Sequence, residues 1–376
     1  MIANTEIQDP KRIELLFEQI TALIEQSRQR IATAVNVAEV YTKYHIGQYI
    51  VEEEQQGNDR AAYGKQVLKT LSEKLTERFG GGWSVETLEK CRKFYRVYSA
   101  SISSTVQTEF IEAEKSSTVQ TKLKNSGDEQ LTNAPNFFLS WNHYQILMRI
   151  NNPEERSFYE IEAKQQQWSV RQLSRQVNSS LYERLALSRN KDEVMRLARE
   201  GQWIEKPADI IKNPVTLEFL GLKPDASYSE SKLESAIINK MQQFLLEMGK
   251  GFLFEARQKR FTFDEENFYV DLVFYNRLLQ CYVLIDLKTD KLTHQDLGQM
   301  QMYVNYYDRY VKQNFEKQTI GILLCKSANE SLVELTLPND ANIYAQQYAL
   351  CLPDKAVLQQ KLKEWTEEFE ELEEKA

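Results

Sequence analysis

"VDLVFYNRLLQCYVLIDLK", Val270 to Lys288, decides the fold of the second half of the chain. Most of its residues are β-branched or aromatic, the types that pack on a pleated surface, so it reads as two strands joined by a hairpin. Asn276 and Arg277 supply turn character close to its sequence centre, which lies between Leu278 and Leu279. Asp271 and Asp286 interrupt the two apolar runs, and Lys288 follows. Strand side chains alternate, so Asp286 and Lys288 share a face with Tyr282 and Leu284, while Val283, Ile285 and Leu287 share the other. A loop symmetric about the centre sets Asp271 opposite Asp286, with Cβ atoms about 4.5–5.5 Å apart. Two ionised carboxylates at that spacing repel, and burial makes the arrangement worse. A divalent cation resolves the conflict, because Mg²⁺ takes one or two carboxylates, several waters and a substrate phosphate. The expected metal site is Asp271, Asp286 and Leu287, holding Mg²⁺ with Mn²⁺ able to substitute. Lys288 beside the ion orients or deprotonates a water, or balances charge on a transferring phosphate. The reaction implied is hydrolysis of a phosphodiester.

Working outward, a long helix, "YSESKLESAIINKMQQFLLEMGK", precedes three strand-like runs, "FLFEARQKRFTF", "NFYVDLVFYN" and "LQCYVLIDLK". A helix, "HQDLGQMQMYVNYYDRYVK", and an apolar strand, "TIGILLC", follow, and a last helix or loop leads to "NIYAQQYAL". The first half differs: from Lys11 to Tyr98, apolar residues recur at three- and four-residue steps, the helical period. The change of style falls near Ile204 to Ser227. The reading is an α+β multidomain chain: an all-α domain over 1–205, then an α/β domain with a mixed central sheet over 206–376. Residues 101–134 are rich in Ser, Thr, Gln, Asn and Lys and contain "SSTVQT" twice. They hold too little apolar surface to fold alone and read as a flexible insertion. The end, "EWTEEFEELEEKA", reads as a solvated, partly helical tail.

Composition narrows the class. With 376 residues, 42% hydrophobic and 27% charged, the chain is globular and long enough for two domains. There is no run of eighteen apolar residues to span a membrane, and the N-terminus lacks a signal-peptide pattern. Four scattered cysteines and three distant histidines make neither a zinc motif nor a disulfide framework, so a cytoplasmic location is expected. The net charge of −8 argues against coating nucleic acid non-specifically but allows a local basic groove.

An Asp, then fourteen residues, then Asp-x-Lys, on adjacent strands after a helix, resembles the PD-(D/E)XK nucleases of restriction-endonuclease-like fold. "QMQMY" sets Gln299 and Tyr303 one helical turn apart, similar to the QxxxY motif of the RecB-like branch. The resemblance implies that this pair positions substrate and active site. It also implies an acid on the preceding helix, with Glu234 the best match and Glu230 second. Further stretches, including "YGKQVLKTLSEKLTERFGGGWSVETLEKCRKFY", "LSWNHYQILMRI", "FYEIEAKQQQWSVRQLSRQVNSSLYERLALS" and "LEFLGL", resemble the YhcG-like family. Its members join a helical N-terminal domain to a PD-(D/E)XK domain. Asp286 stands where glutamate is frequent in that pattern, one methylene longer. The implied catalytic set is Asp271, Asp286, Lys288, Glu234, Gln299 and Tyr303, and the implied setting is bacterial DNA metabolism.

Basic residues mark candidate DNA contacts. Arg257, Lys259 and Arg260 in "ARQKR", and Lys291 after the acidic strand, are placed to meet phosphates. "GGGWSVETLEKCRKFYR" resembles the turn and second helix of a helix-turn-helix, with Lys90, Lys93 and Arg96 on one face and Arg92 to its side. The echo "WSVRQLSRQ" at Trp168 suggests Arg171 and Arg175 exposed in the same way. In both, Trp packs, Ser caps and Val and Leu point inward. His143, between aromatics, reads as a hydrogen-bonded structural residue. The expected partner is DNA. Against the metal-dependent nuclease stand two other readings: an inactive nucleic-acid-binding module on the same fold, and an assembly protein whose helical half binds copies of itself or a partner protein.

Overall fold

Helical periodicity in the first half and β-branched runs in the second fold into separate bodies. The computed structural model describes residues 10–56, 60–105, 135–187, 191–224, 227–327, 330–338 and 341–373. The chain divides into two compact units, Met1–Leu173 and Ser174–Ala376. The expected polar insertion lies, from residue 106 to 134, outside the described residues. Among the described residues no helix is long and apolar enough to cross a membrane.

The first unit opens with α1 (Pro10–Gln56), α2 (Arg60–Phe79) and α3 (Val85–Thr105). α1 and α3 approach closely at Gly47, where a Cβ would lie 2.0 Å from the carbonyl oxygen of Cys91. Ser84 caps α3 as expected, its Oγ accepting the Thr87 N–H at 3.3 Å. α4 (Trp141–Leu147) and α5 (Pro153–Gln165) complete an aromatic core. In it Phe94, Phe137 and Tyr144 lie with ring centroids 5.1–5.2 Å apart. His143 is structural: its Nδ1 meets Ser140 Oγ at 2.7 Å and its Nε2 meets the Trp168 carbonyl at 2.9 Å. α6 (Val170–Asn178) starts as read, with Trp168 and Leu173 buried. Ser169 Oγ accepts the Gln172 N–H at 3.3 Å, and the Gln172 side chain accepts the Ser169 N–H at 2.8 Å.

The second unit carries α7 (Leu181–Ala186), α8 (Lys191–Glu200), β1 (Val215–Thr216), α9 (Glu230–Asn239) and α10 (Met241–Met248) ahead of the main strands. A buried ion network ties these parts together. Glu247 of α10, fully buried, meets Arg184 of α7 at 2.5 Å and Arg175 at 3.0 Å. Its main-chain carbonyl also receives the Lys212 ammonium. Burial alone raises a carboxyl, but Arg184, Lys212 and Arg175 outweigh it and hold Glu247 down at about 2. Arg175 also binds Glu218 at 3.0 Å. Its guanidinium is therefore an internal partner rather than the exposed cation the sequence suggested. The helix expected as one piece over "SKLESAIINKMQQFLLEM" breaks at Lys240, whose φ of −122° and ψ of 31° leave helical geometry. The break lets Leu233 and Ile237 of α9 and Phe244 and Met248 of α10 all reach one apolar cluster.

β2 (Phe252–Phe263), β3 (Glu266–Asn276) and β4 (Cys281–Lys291) form an antiparallel meander. α11 (His294–Tyr306) then crosses to β5 (Ile320–Ser327), which runs parallel to β4. α12 (Glu330–Thr336) leads to β6 (Ile343–Ala349), so "NIYAQQYAL" ends as a strand, and α13 (Lys355–Glu373) follows. The sheet order is β1-β6-β5-β4-β3-β2, with β4, β5, β6 and β1 parallel. Alternation splits its side chains between two cores. Val283, Ile285 and Leu287 face α9 and α10, whereas Leu284 and Leu323 face Leu297, Met300 and Tyr303 of α11. α11 closes on β5 at Gly321, where a Cβ would stand 2.7 Å from Met300. The fold is thus α+β: a helical N-terminal region, then a mixed sheet covered by helices on both faces.

Candidate active site

The hairpin register is the expected one: Asn276 pairs with Cys281 and the ladder runs to Leu272 opposite Ile285. One step further come Asp271 and Asp286, and there the pairing of β3 with β4 stops. The Asp271 carboxylate enters instead, its Oδ2 accepting the Leu287 N–H at 2.8 Å. Leu287, expected among the metal ligands, meets Asp271 through its main chain. Asp271 Oδ1 accepts the side-chain amide of Gln258, on β2, at 2.8 Å. Asp286 shares the face of Leu284 and stands opposite Leu323 of β5, both in the cluster packed against α11.

Asp286 is 4% exposed. Its oxygen Oδ2 is 2.8 Å from Lys288 Nζ. Burial, then the charge of Asp271, raises its carboxyl from 3.8 to about 7, with Lys288 pulling the other way. Asp271 is raised too, mainly by burial, against the hydrogen bonds from Leu287 and Gln258. Burial draws Lys288 down, but Asp286, Glu230 and Asp296 more than reverse it and hold the ammonium well above its ordinary range. Lys288 is therefore a fixed cation. It lies 3.9 Å from Glu230 and 3.6 Å from Asp296.

α9 presents both sequence candidates to this site, one turn apart. Glu234, 3% exposed, is bound by Arg257 Nε at 2.7 Å and adds its charge to the environment of Asp271. Burial raises the Glu230 carboxyl, with the Lys288 charge pulling it the other way. On α11, Gln299 donates to the buried Tyr303 hydroxyl. Burial, then Asp286, pushes that hydroxyl up to about 12, and Tyr303 packs in one cluster with Val270 and Leu284, which stand next to Asp271 and two residues before Asp286. Thus Asp271, Asp286, Lys288, Glu234, Gln299 and Tyr303 come together from four elements.

The basic candidates fare differently. Arg257 is held by Glu234 and by Ser235 Oγ at 3.0 Å. Lys259 is exposed, 3.8 Å from Glu255, and Arg260 donates to Asn267 at 3.0 Å. Lys291 is exposed at the end of β4. In the helical unit Lys90 pairs with Glu86 at 2.7 Å, and Arg92 and Arg96 share Glu54 of α1 at 2.6 and 2.8 Å. Lys93 is exposed.

Two residues of the site were not read from the sequence. Asp296 accepts the Thr293 N–H and hydroxyl, at 2.8 and 2.7 Å, while its other oxygen faces Lys288. The capping-box spacing Thr293 to Asp296, just after the strand carrying Lys288, is the signal that finds it. Gln258 has no such signal, because only the course of β2 turns it toward Asp271.

A family profile described as the YhcG PDDEXK nuclease domain matches residues 208–363, and one described as the DUF1016 N-terminal domain matches residues 19–184. A curated protein of Escherichia coli (strain K12), named "Putative nuclease YhcG", is 36% identical over 351 residues, covering 92% of each chain. The chain belongs to the YhcG family. Its second unit carries that family's PDDEXK nuclease domain, and Glu230, Glu234, Asp271, Asp286 and Asp296 lie inside the matched span. Among solved structures, the chain is similar to a repair endonuclease from Pyrococcus abyssi, with 19% identity and a TM-score of 0.24 over 35% of this chain and 50% of that one. It is also similar to EndoMS in complex with double-stranded DNA, with 16% identity and a TM-score of 0.25 over 36% and 49%. In each case the match spans about half of the solved chain.

Proposed function

We propose that this YhcG-family chain is a divalent-metal-dependent nuclease that hydrolyses DNA phosphodiester bonds at Asp271, Asp286 and Lys288. One observation carries the reading: two carboxylates converge where β3 and β4 part, and the more buried of them is held up to about 7 by its surroundings and its neighbour. The donor set fits magnesium. Among the described residues no group of three or more His, Cys, Asp or Glu forms a cage, and Mg²⁺ asks for none, since one or two carboxylates with waters and a phosphate suffice. Asp271 and Asp286 would hold the ion, with the Leu287 carbonyl as a third ligand. Bound there, it would act as a Lewis acid on the scissile phosphate and lower the pKa of a water.

The protein's own groups do the rest. Lys288, kept protonated by Asp286, is a donor and a positive charge rather than a base, and it stabilises charge developing on the phosphate oxygens. Gln299 bridges to Tyr303 and fixes the α11 wall of the site. Glu230, whose carboxyl is raised, is placed beside Lys288 to take up a proton. The exposed Lys259 and Lys291 are proposed to meet flanking phosphates. The exposed face of α3 around Lys93 is proposed to meet DNA or a partner protein.

The test is purified full-length protein with plasmid and linear DNA, in Mg²⁺, in Mn²⁺ and in EDTA. Cleavage in either metal, abolished by EDTA and by Asp271→Ala, is the expected result. No cleavage by the wild type, or equal cleavage by Asp271→Ala, rejects the reading.

A further inference from the structure

Gln258 has a backbone φ of 47°, left-handed geometry that a residue with a side chain rarely adopts inside a strand. On either side of it the ladder is regular, Arg257 opposite Leu272 and Lys259 opposite Val270, so Gln258 faces Asp271 across β2 and β3. In a flat strand Arg257 and Gln258 would point to opposite faces. Here consecutive side chains reach two neighbouring acids: Arg257 binds Glu234 at 2.7 Å and Gln258 binds Asp271 at 2.8 Å. Strained backbone of this kind persists where the surroundings over-determine it, and it gathers at functional sites.

The consequence falls on Asp271. Its Oδ2 is fixed by the Leu287 N–H and its Oδ1 by the Gln258 amide. With one oxygen held, the carboxylate still swings about its terminal torsion, which is broad for an Asp. With both held, its plane is set, and each oxygen keeps a second lone pair. We propose that Gln258 is a positioning residue of the metal site, its strained strand geometry serving to lock the plane of the Asp271 carboxylate. This rests on the metal-site reading above. Such a partner behind a ligating carboxylate tunes affinity without touching the ion.

A glycine at 258 separates this role from a structural one, because glycine adopts a φ of 47° freely. The full-length wild type, Gln258→Gly and Gln258→Ala are compared by calorimetric titration with Mn²⁺ alone, by thermal melting, and by cleavage rate against Mn²⁺ concentration. Gln258→Gly melts no lower than the wild type, yet binds Mn²⁺ about tenfold more weakly or worse, the size expected for a lost hydrogen bond to a charged group. Its cleavage needs correspondingly more Mn²⁺ and approaches the wild-type rate at saturation, with Gln258→Ala showing the same displacement. Wild-type Mn²⁺ affinity and metal dependence in Gln258→Gly would overturn the role of Gln258. A wild type that binds no Mn²⁺ would overturn the metal site itself, and this role with it.

Discussion

Replacing Asp286 with asparagine should stabilise the metal-free protein at alkaline pH. The folded chain surrounds this side chain so that, even with Lys288 at 2.8 Å, burial and Asp271 raise its carboxyl from 3.8 to about 7. At about 1.4 kcal/mol per pH unit, that gap amounts to about 4 kcal/mol. The sign follows from proton uptake. Between the two values the folded state binds more protons than the unfolded one, so stability falls as pH rises from 3.8 through about 7. Asparagine carries no charge at any pH and escapes the loss. The two proteins should therefore unfold alike near pH 4 and diverge steadily up to pH 7. Above that, Asp286→Asn is the more stable, by up to about 4 kcal/mol. Urea denaturation in EDTA across this range reads the difference directly. Added Mn²⁺ should raise the wild type and leave Asp286→Asn where it was. A variant less stable than the wild type at pH 8, or a difference that ignores pH, would refute the reasoning.

Three further outcomes follow from the same geometry. Lys288→Met should keep Mn²⁺ binding while cleavage falls by roughly 10²-fold or more, the loss of a positioned donor, as read by calorimetry beside a plasmid assay. Mn²⁺ affinity of the wild type should weaken as pH drops below about 7, because protons compete for Asp286, and titrations at pH 6 and 8 measure it. Glu247→Ala takes away the buried carboxylate that Arg184 and Arg175 share, should cost about 3–5 kcal/mol, and should lower the melting temperature by on the order of 10 °C in a calorimetric scan.

The register of the acidic hairpin was legible because period-two alternation and a symmetric turn leave little freedom: Asn276 opposite Cys281 fixes everything up to Leu272. The Asp-x-Lys face was legible for the same reason, and the Gln299–Tyr303 pair through its resemblance to the QxxxY motif. The parting of β3 and β4 at Asp271 was not, because it arises when a side chain rather than a main-chain group takes the Leu287 N–H. Cation partners were hidden likewise. Arg257, Arg175 and Arg96 look alike in sequence, yet each meets a glutamate more than twenty residues away, at Glu234, Glu247 and Glu54. The break at Lys240 left no mark either, since apolar periodicity continues through it and only packing against the sheet demands the change of direction.

Whether the Asp271–Asp286 pair grips a divalent ion is tested most directly by crystals grown with Mn²⁺, with data collected at the manganese edge. The expected result is one strong anomalous peak about 2.0–2.2 Å from a carboxylate oxygen of each aspartate, with the Lys288 ammonium moved off Asp286. A peak elsewhere, or none while Lys288 keeps its contact with Asp286, would contradict it.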